Sequence, residues 1–515
     1  MFKPSPQQQV FFDWIVSGEG SCVVEAVAGS GKTTTLIHGL SLMRGQVYFG
    51  AYNKAIAEEI KSRTASIEGP DITVSTFHAA GFKAWTRVAG RGVRVDEKKV
   101  RNIFRTVAEG REELFGLENC VCRIVGLAKQ AGVGPLVDDS DETFTNLIDH
   151  FDVEIPDAHG TGAVIALVRE ILQKSVALDR EVIDFDDMIY SPLVHDVRMW
   201  QHDWVLVDEA QDTNNTRRAL ARKMLKKNGR LVAVGDPHQA IYGFTGADSD
   251  SLDLIREMFG AVTLPLSVTY RCPKAVVRHA QKYVGHITAD VTAPEGEVVR
   301  GDMEQLTVIA QPGDAVLCRF NAPLVQTVYQ FIGKGIPAKI EGREIGEGLK
   351  KLALKWKTKS LSVFEDRLAD YVDRELEKLS KKERNTQARA LQDKADCLAV
   401  LIQRVRSLNP DAQLTDLVFE IENLFADTTS GERRQVVTFS TIHKSKGREW
   451  TNVVWLETGP SKWAKKDWEK GQEVNLSYVA TTRAKTRLCL VPYVDQKKSE
   501  APAPAKKEAD IPAAA

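Results

Sequence analysis

The strongest chemical signal in the chain is a short loop of small residues between a strand-like and a helix-like segment. Residues Ala26–Thr33 read AVAGSGKT and follow the apolar run Cys22–Val24. Small residues let backbone N–H groups curl around phosphate oxygens, and the N-terminus of the following helix adds its positive dipole end. In such a loop Lys32 neutralises β- and γ-phosphate charge and the Thr33 hydroxyl holds Mg²⁺. The segment predicts a nucleoside triphosphate site; a plain glycine-rich turn is the simpler alternative.

A second signal is a pair of adjacent acids at the end of an apolar strand. Asp208 and Glu209 directly follow the run Trp204–Val207. Because successive side chains of a strand point in opposite directions, one carboxylate can join the magnesium shell while the next faces a water in line with the γ-phosphate. Asp208 suits the metal role and Glu209 the general-base role. An acidic cap between strand and helix is the alternative.

Two arginines in the second half of the chain could complete such a site. Arg271 stands in TYRC and Arg483 in ATTRAK. A guanidinium holds its charge at neutral pH and forks onto phosphate oxygens, as the transition state of phosphoryl transfer requires. If both reach the same ATP, the nucleotide sits between two α/β cores, and hydrolysis would open and close that cleft. For a single arginine, a surface or salt-bridge role is the alternative.

The elements that must position these residues follow from the hydrophobic pattern. Short apolar runs alternate with longer amphipathic stretches, which is typical of a parallel α/β fold. Candidate strands fall into two groups, before and after about residue 260: Cys22–Val24, Gln46–Gly50, Ile72–Ser75, Trp204–Val207, Leu231–Val234, Ala315–Cys318, Val436–Ser440, Val453–Leu456 and Leu488–Val491. Two helical blocks, about Phe82–Leu193 and Arg343–Arg406, interrupt the groups and read as insertions.

Length and composition exclude several classes of protein. The 515 residues predict three or four domains, and 43% hydrophobic with 27% charged residues indicates a soluble globular chain. No apolar run is long enough for a membrane span and the N-terminus lacks a secretory pattern, so we expect a cytoplasmic protein. Seven scattered cysteines, including the pair Cys120 and Cys122, indicate free thiols. The net charge of −1 taken alone argues against a polyanionic partner.

The ordered segments resemble the UvrD/Rep/PcrA-type helicases of superfamily 1A. The resemblance runs from about Ser5 to Lys485, with the motifs in family order. It begins at PSPQQQ, similar to a motif whose glutamine reads adenine; spacing favours Gln8, with its neighbours as close competitors. VLVDEAQD matches the carboxylate motif almost letter for letter. The family's phosphate loop, which also has Ala at its first position, implies nucleotide contacts from Ala26, Val27, Ala28, Gly29, Ser30, Gly31, Lys32, Thr33 and Thr34.

Later segments extend this resemblance to both ligands of the family, ATP with Mg²⁺ and single-stranded DNA. The implied nucleotide contacts are the γ-phosphate sensor Gln239, the adenine-stacking Tyr270, the arginine fingers Arg271 and Arg483, the phosphate-contacting Gly447 and the ribose-contacting Glu449. The implied DNA contacts are Asn53, Phe77, His78, Tyr242, Phe244, Thr441 and His443. Aromatic faces stack on any base, at ~1–3 kcal/mol each. For His78 and His443 a structural hydrogen bond is the alternative.

Some positions depart from the family. The family usually has an aromatic residue before its Asn-Lys-Ala segment, and here Ala51 and Tyr52 precede Asn53. Phe244-Thr245 stand where Trp-Arg is commoner in the family. The accessory insertion is much shorter than in the large bacterial members, which suggests a compact, phage-encoded type. The segment Asp184–Asp187, DFDD, resembles a short acidic segment of the family's first domain and could cap a helix.

The resemblance implies an α/β fold of two RecA-like P-loop NTPase domains in tandem, each with a mainly helical insertion. The expected divisions are 1–82 and 194–260 for the first RecA-like domain, 83–193 for its insertion, 261–345 and 432–495 for the second, 346–431 for a short accessory insertion, and 496–515 for a disordered tail.

The expected function is that of an ATP-dependent DNA helicase translocating 3′ to 5′ on single-stranded DNA and acting at single/double-strand junctions. The expected setting is the cytoplasm of a bacterial or phage-infected host cell, with an unidentified loading, replication or repair partner. Two alternatives are a DNA-stimulated translocase that displaces proteins without unwinding, and a nucleotide-switched binding module. The DNA or RNA preference stays open, because stacking and phosphate contacts barely discriminate the sugar.

Overall fold

The computed structural model describes residues 3–90, 92–114, 116–156, 159–241, 243, 250–381, 385–425, 435–461, 464 and 466–493. Within these residues the longer strands form two six-stranded sheets, one in each half of the chain, and every strand pair in them is parallel. The α/β class with two parallel-sheet cores is therefore confirmed. The expected tail 496–515 lies outside the described residues.

The first sheet is built from residues 22–266. Its strand order is Asp71–Thr76, Gln46–Ala51, His202–Val207, Leu225–Gly235, Cys22–Ala26 and Val262–Leu266. The helices of this core are Pro6–Ser17, Lys32–Leu40, Lys54–Thr64, Phe77–Ala89, Asn215–Lys223 and Ser251–Phe259. The last strand pairs with Cys22–Ala26, so this sheet extends beyond the boundary expected at residue 260. It is a largely exposed edge strand that contains Pro265, and it therefore gives no continuous apolar run.

The loops that carry the first-half motifs leave one edge of this sheet. Parallel strands bring their carboxyl ends to the same edge, where ligands of α/β folds bind. There the strand Cys22–Ala26 runs into the phosphate loop, His202–Val207 into the two acids, and Leu225–Gly235 into the 3₁₀ turn Pro237–Gln239. The strand Leu225–Gly235 pairs with both of the others. Segments about two hundred residues apart in sequence thus become neighbours.

The insertion in the first half has its own core. It contains the helices Lys99–Val107, Glu118–Ala131, Asp141–His150, Thr161–Ala177 and Asp187–Val194, the 3₁₀ turn Glu112–Leu114, and the paired strands Arg94–Val95 and Val182–Ile183. Phe104, Ile124, Phe144 and Ile171 belong to this core. Trp85 instead packs with the first sheet, because the start of the insertion continues the sheet's helical layer.

Two buried lysines join this insertion to the acidic segment DFDD. The Nζ atom of Lys129 lies 2.6 Å from Asp184 Oδ2 and 2.6 Å from Asp187 Oδ1. Lys99 Nζ lies 2.7 Å from Asp179 Oδ1 and 2.7 Å from Asp187 Oδ2. Asp184 also accepts the backbone N–H of Asp187 at the start of the helix, as capping requires. The segment therefore caps a helix and also neutralises two buried ammonium groups.

The second sheet is built from residues 297–492. Its strand order is Glu297–Arg300, Ala484–Pro492, Trp450–Glu457, Ala315–Cys318, Val437–Thr441 and Ala338–Ile340. Its helices include Lys274–Ala280, Leu306–Ile309, Asn321–Gly333 and Asp467–Thr481, and a small pair of strands, Val268–Thr269 and Thr288–Ala289, precedes it. The two edge strands Glu297–Arg300 and Ala338–Ile340 are short and partly exposed, so the apolar pattern does not reveal them.

The accessory helices share a core with the second sheet. They are Arg343–Ala353, Leu361–Lys381, Asn385–Leu408 and Leu414–Leu424. Phe364 and Leu401 from these helices lie in the same apolar cluster as Phe331 and Phe439 of the sheet layer. The expected boundary between residues 345 and 346 falls inside the first of these helices. Among the described residues, no helix is both long enough and apolar enough to cross a bilayer.

Candidate active site

The phosphate loop has the conformation that its sequence requires. Gly29 and Gly31 adopt φ angles of +73° and +79°, a region that L side chains rarely adopt. A Cβ atom on Gly29 would lie 2.5 Å from the Cβ of Arg271, so space as well as conformation selects glycine here. The helix Lys32–Leu40 begins directly after Gly31, which makes no side-chain cap. Its first N–H groups therefore point into the loop, where they can bind an anion.

Thr33 and Asp208, the two expected magnesium ligands, lie next to each other. The Thr33 hydroxyl donates to Asp208 Oδ2 at 3.1 Å, and the backbone N–H of Glu209 donates to Asp208 Oδ1 at 2.9 Å. Burial raises the pKa of Asp208 to about 6, and the neighbouring carboxylate of Glu209 adds to the rise. A cation placed between hydroxyl and carboxylate would offset both effects, so the donor set fits Mg²⁺.

Glu209 is directed towards the phosphate loop by an unusual backbone conformation. Its φ of +50° is left-handed, which is uncommon for a residue with a side chain and typical of functional sites. Its Oε2 lies 3.8 Å from Lys32 Nζ and accepts from the Gln211 amide. Burial opposes ionisation, but the charges of Lys32 and Lys446 outweigh it and lower the pKa of Glu209 to about 2. The side chain is therefore a carboxylate at neutral pH.

Gln239 and Arg483 bring the two halves together beside these acids. The Gln239 amide donates to Asp236 Oδ2 at 2.6 Å, and its Oε1 accepts from Arg483 Nη2 at 3.4 Å. The guanidinium of Arg483 is 1% exposed and also donates to the carbonyls of Val479 and Arg448. Burial lowers the pKa of Arg483 to about 9, and the charge of Arg271 adds to the fall. Arg483 thus remains a cation at neutral pH.

The residues expected at the base and sugar end lie beside the phosphate loop at Gly29. The backbone N–H of Tyr270 donates to the carbonyl of Gly29 at 2.9 Å, and its side chain is 47% exposed. Arg271 Nε donates to Glu449 Oε2 at 2.6 Å. Arg271, the other expected arginine finger, therefore pairs with the residue expected to contact the ribose. Gly447 is exposed, with a φ of +81°. An exposed aromatic face beside the loop can receive a flat base.

Two glutamines compete for the adenine-reading role. Gln8 is 3% exposed, forms a capping box with Ser5, and donates to the Thr35 hydroxyl at 2.8 Å. Gln7 instead makes two hydrogen bonds of 2.8 Å with Ser267, at the end of the strand Val262–Leu266. Both side chains are near the loop, and the choice of Gln8 remains a prediction.

Lys446 and Tyr478 contact this site although the sequence did not single them out. Lys446 Nζ lies 2.9 and 2.6 Å from the two carboxylate oxygens of Asp212 and 2.7 Å from the carbonyl of Gln239. The phenol oxygen of Tyr478 accepts the backbone N–H of Ala28 at 2.9 Å. Both lie inside motif segments of the second half. Their contacts depend on how the halves meet, which no local pattern specifies.

The expected DNA contacts lie in several different environments. Asn53 caps the helix Lys54–Thr64, its Oδ1 accepting from the N–H of Ile56 at 2.9 Å. Phe77 is 6% exposed and packs against Tyr48 with ring centroids 5.6 Å apart. The ring fills the core where a helix begins on the sheet, and the DNA contact expected from Phe77 stays a prediction. Tyr242 and Phe244 lie outside the described residues.

The other three expected DNA contacts are polar residues near the cleft. Burial lowers the pKa of His78 to about 4, and the charge of Arg217 adds to the fall. Burial also lowers the pKa of His443, together with the charges of Arg319 and others. Thr441 is 7% exposed at the end of its strand. Both histidines are thus neutral at neutral pH, so a contact to DNA from them would be a hydrogen bond and not an ion pair.

Comparison with known proteins adds an independent observation. Residues 8–260 match the sequence model of the UvrD/REP helicase N-terminal domain, and residues 139–494 match that of the UvrD-like helicase C-terminal domain. DNA helicase IV of Escherichia coli K12 is 27% identical over 362 residues, 60% of this chain and 51% of that protein. ATP-dependent DNA helicase PcrA of Bacillus subtilis 168 is 25% identical over 307 residues, 54% of this chain and 39% of that protein.

A further relative matches over most of the chain. ATP-dependent DNA helicase UvrD2 of Mycobacterium tuberculosis H37Rv is 25% identical over 557 residues, 92% of this chain and 77% of that protein. In the matches to helicase IV and PcrA, the chain spans about half or less of the relative's length.

Proposed function

Because the chain belongs to the UvrD-like helicase family, we propose that it is an ATP-dependent DNA helicase that translocates 3′ to 5′ on single-stranded DNA. The observation that carries this proposal is the meeting of three sets of residues in one cleft. The phosphate loop supplies Lys32 and Thr33, the end of the strand His202–Val207 supplies Asp208 and Glu209, and the second half supplies Arg483. The direction of movement rests on the family.

The residues divide the work of ATP hydrolysis among them. The loop N–H groups and Lys32 bind the phosphates, and Thr33 and Asp208 would hold a magnesium ion, whose charge would offset that of the phosphate oxygens. Glu209, ionised at neutral pH, orients the attacking water and accepts its proton. Arg483 stabilises the charge that develops on the transferred group. Arg271 exchanges Glu449 for a phosphate oxygen when the nucleotide is bound.

Movement follows from the contacts between the halves. Gln239 touches Arg483 on one side and, through its carbonyl, Lys446 on the other. The segment that follows Gln239 leads to Tyr242 and Phe244, the proposed base stackers. A change at the γ-phosphate therefore reaches the DNA track along a few residues of one loop, which lets each hydrolysis step shift the strand.

Unwinding of tailed duplexes tests both activity and polarity. We expect strand separation of a duplex with a 3′ single-stranded tail and little with a 5′ tail, only when ATP and Mg²⁺ are present. Lys32→Ala is the matched control, because it removes the phosphate-binding ammonium and should abolish turnover.

Two other results would change the proposed function, one in its activity and one in its polarity. Displacement of a bound protein from a single strand without strand separation would replace the helicase by a translocase. The accessory helices, which share the core of the second sheet, are compatible with that reading. Separation from the 5′ tail alone would reverse the proposed polarity.

A further inference from the structure

The helical insertion of the first half touches the second half at a place outside the ATP site. The contact comes from residues 149–154, at and after the end of the helix Asp141–His150, which we call the strap. Lys466 Nζ donates to the carbonyl oxygen of Asp149. The His150 ring stacks on that of Trp468, with centroids 5.7 Å and planes 24° apart. The strap thus contacts the start of the helix Asp467–Thr481.

The strap also contacts the accessory helices. Gln387 Nε2 donates to the carbonyl oxygen of Asp152 at 2.8 Å. Lys378 Nζ lies 3.5 Å from Glu154 Oε1. Six consecutive residues of the first half therefore reach three helices of the second half. They join the halves at a second place besides the ATP site.

Trp468 lies beside the segment that carries the proposed base stackers. A Cβ atom on Gly243 would lie 3.5 Å from Trp468 Cζ3, and Gly243 separates Tyr242 from Phe244. The strap therefore meets the second half next to the segment that carries the proposed base stackers.

We propose that the strap is a clasp over the nucleic-acid track, so that the protein encircles a single strand instead of lying along it. This proposal rests on the proposed function, since it requires a strand between the halves. The strap contacts named above are each weak on their own, since they are a ring pair, hydrogen bonds to carbonyls and a partly exposed ion pair. The clasp can therefore open to admit an internal stretch of strand, and its closure slows escape.

A covalent lock on the clasp provides the test. Asp149→Cys and Lys466→Cys are combined and joined with a short bis-maleimide; the two single substitutions are matched controls. Among the described residues the native cysteines are buried apart from the half-buried Cys122. Protein loaded on circular single-stranded DNA and then locked should survive a high-salt challenge. On linear strands of the same length the locked protein should slide off, with at least about a tenfold shorter lifetime.

The order of loading and locking provides a second readout. Protein locked before it meets DNA should bind linear strands through their ends but fail to bind circles. Equal lifetimes on circles and linear strands, or circle binding by protein locked beforehand, would show that the strand does not pass beneath the strap. Failure of the unlocked protein to bind any single strand would instead remove the proposed function itself.

A variant without crosslinking tests the ring pair directly. His150→Ala combined with Trp468→Ala should dissociate from long single strands several-fold faster than the unaltered protein. Phe419→Ala, which truncates an aromatic side chain that is 64% exposed on an accessory helix, is the matched control. An unchanged dissociation rate in the double variant would overturn the role of the ring pair.

Discussion

Arg483 shows how a single residue can tie the chemistry to the arrangement of the two halves. Its three nitrogen atoms each donate to an oxygen, and one of these oxygens belongs to Gln239 of the first half. A lysine in its place would keep the positive charge but could not make the planar fork of contacts. Charge alone is therefore not enough at this position.

Arg483→Lys should lower kcat for ATP hydrolysis by on the order of 10³-fold or more, because an arginine finger contributes that much to phosphoryl transfer. The measurement is the steady-state release of phosphate. Arg487→Lys, on the following strand, should stay close to the unaltered rate, because among the described residues this arginine forms its ion pair with Glu297 at the surface. Equal losses in the two variants would show that Arg483 has no special part in the chemistry.

Glu209→Gln tests the assignment of the proton acceptor. The amide keeps the size of the side chain but cannot take a proton from water, so kcat should fall by about 10²–10⁴-fold while ATP still binds. Because the pKa of Glu209 is lowered to about 2, its carboxylate form persists as the pH falls, and loss of this base should not limit turnover between about pH 5 and 8. Turnover and nucleotide binding, measured in parallel, separate the two effects.

Among single residues, the sequence predicted those of the phosphate loop and the two acids at the strand end, but not all of the residues that contact them. Thr33 and Asp208 were expected at one metal site, and the structure places them 3.1 Å apart. Lys446 was missed, because its contacts with Asp212 and Gln239 join segments more than two hundred residues apart. The burial of the Phe77 ring was also missed, because packing decides it; the expected DNA contact from this residue stays a prediction.

At the scale of elements, the first-half insertion depends on a buried network of charges. Lys129 is completely buried between Asp184 and Asp187, and Lys99 shares Asp187 with it. Removing one partner from such a network leaves an uncompensated buried charge, which costs more than the intact pair contributes. This network fixes the insertion to the helix that follows DFDD.

Lys129→Met should destabilise the insertion by roughly 3–5 kcal/mol, because two carboxylates lose their buried counter-charge. Denaturant unfolding, followed by a probe in the insertion, measures this change. Lys174→Met is the matched control: that lysine is half exposed and makes only a surface pair with Glu170, so its change should stay within about 0.5 kcal/mol. Similar unfolding curves for the two variants would contradict the proposed contribution of the charge network to the stability of the insertion.

The elements that the sequence revealed are those with a continuous apolar run. Strands buried on both faces, such as His202–Val207, have an apolar run that predicts them directly. The edge strands Val262–Leu266 and Glu297–Arg300 are partly exposed and pair on one side, so their pattern is not distinctive. The shared core of the accessory helices was also hidden, because a hydrophobic pattern shows which face is buried but not against what.

For the whole molecule, the near-neutral net charge is a poor guide to whether the protein binds a polyanion, because it averages over separate regions. The cleft between the halves collects cations such as Lys32, Lys446 and Arg483 together with the acids that balance them. Binding of a polyanion depends on the local charge and on the contacts along its path, not on the sum over 515 residues.

The two halves meet through contacts that a nucleotide would rearrange. Tyr478 touches the phosphate loop, Lys446 holds Asp212, and Arg483 reaches Gln239. A strand held on the same loops would bias these contacts, so nucleotide hydrolysis and strand binding should depend on each other.

The most direct test is the steady-state rate of ATP hydrolysis with and without single-stranded DNA. We expect saturating single-stranded DNA to raise kcat many-fold, with Lys32→Ala inactive in both conditions. A rate that is the same with and without DNA, in protein that does hydrolyse ATP, would contradict this expectation and would favour a nucleotide-switched binding module.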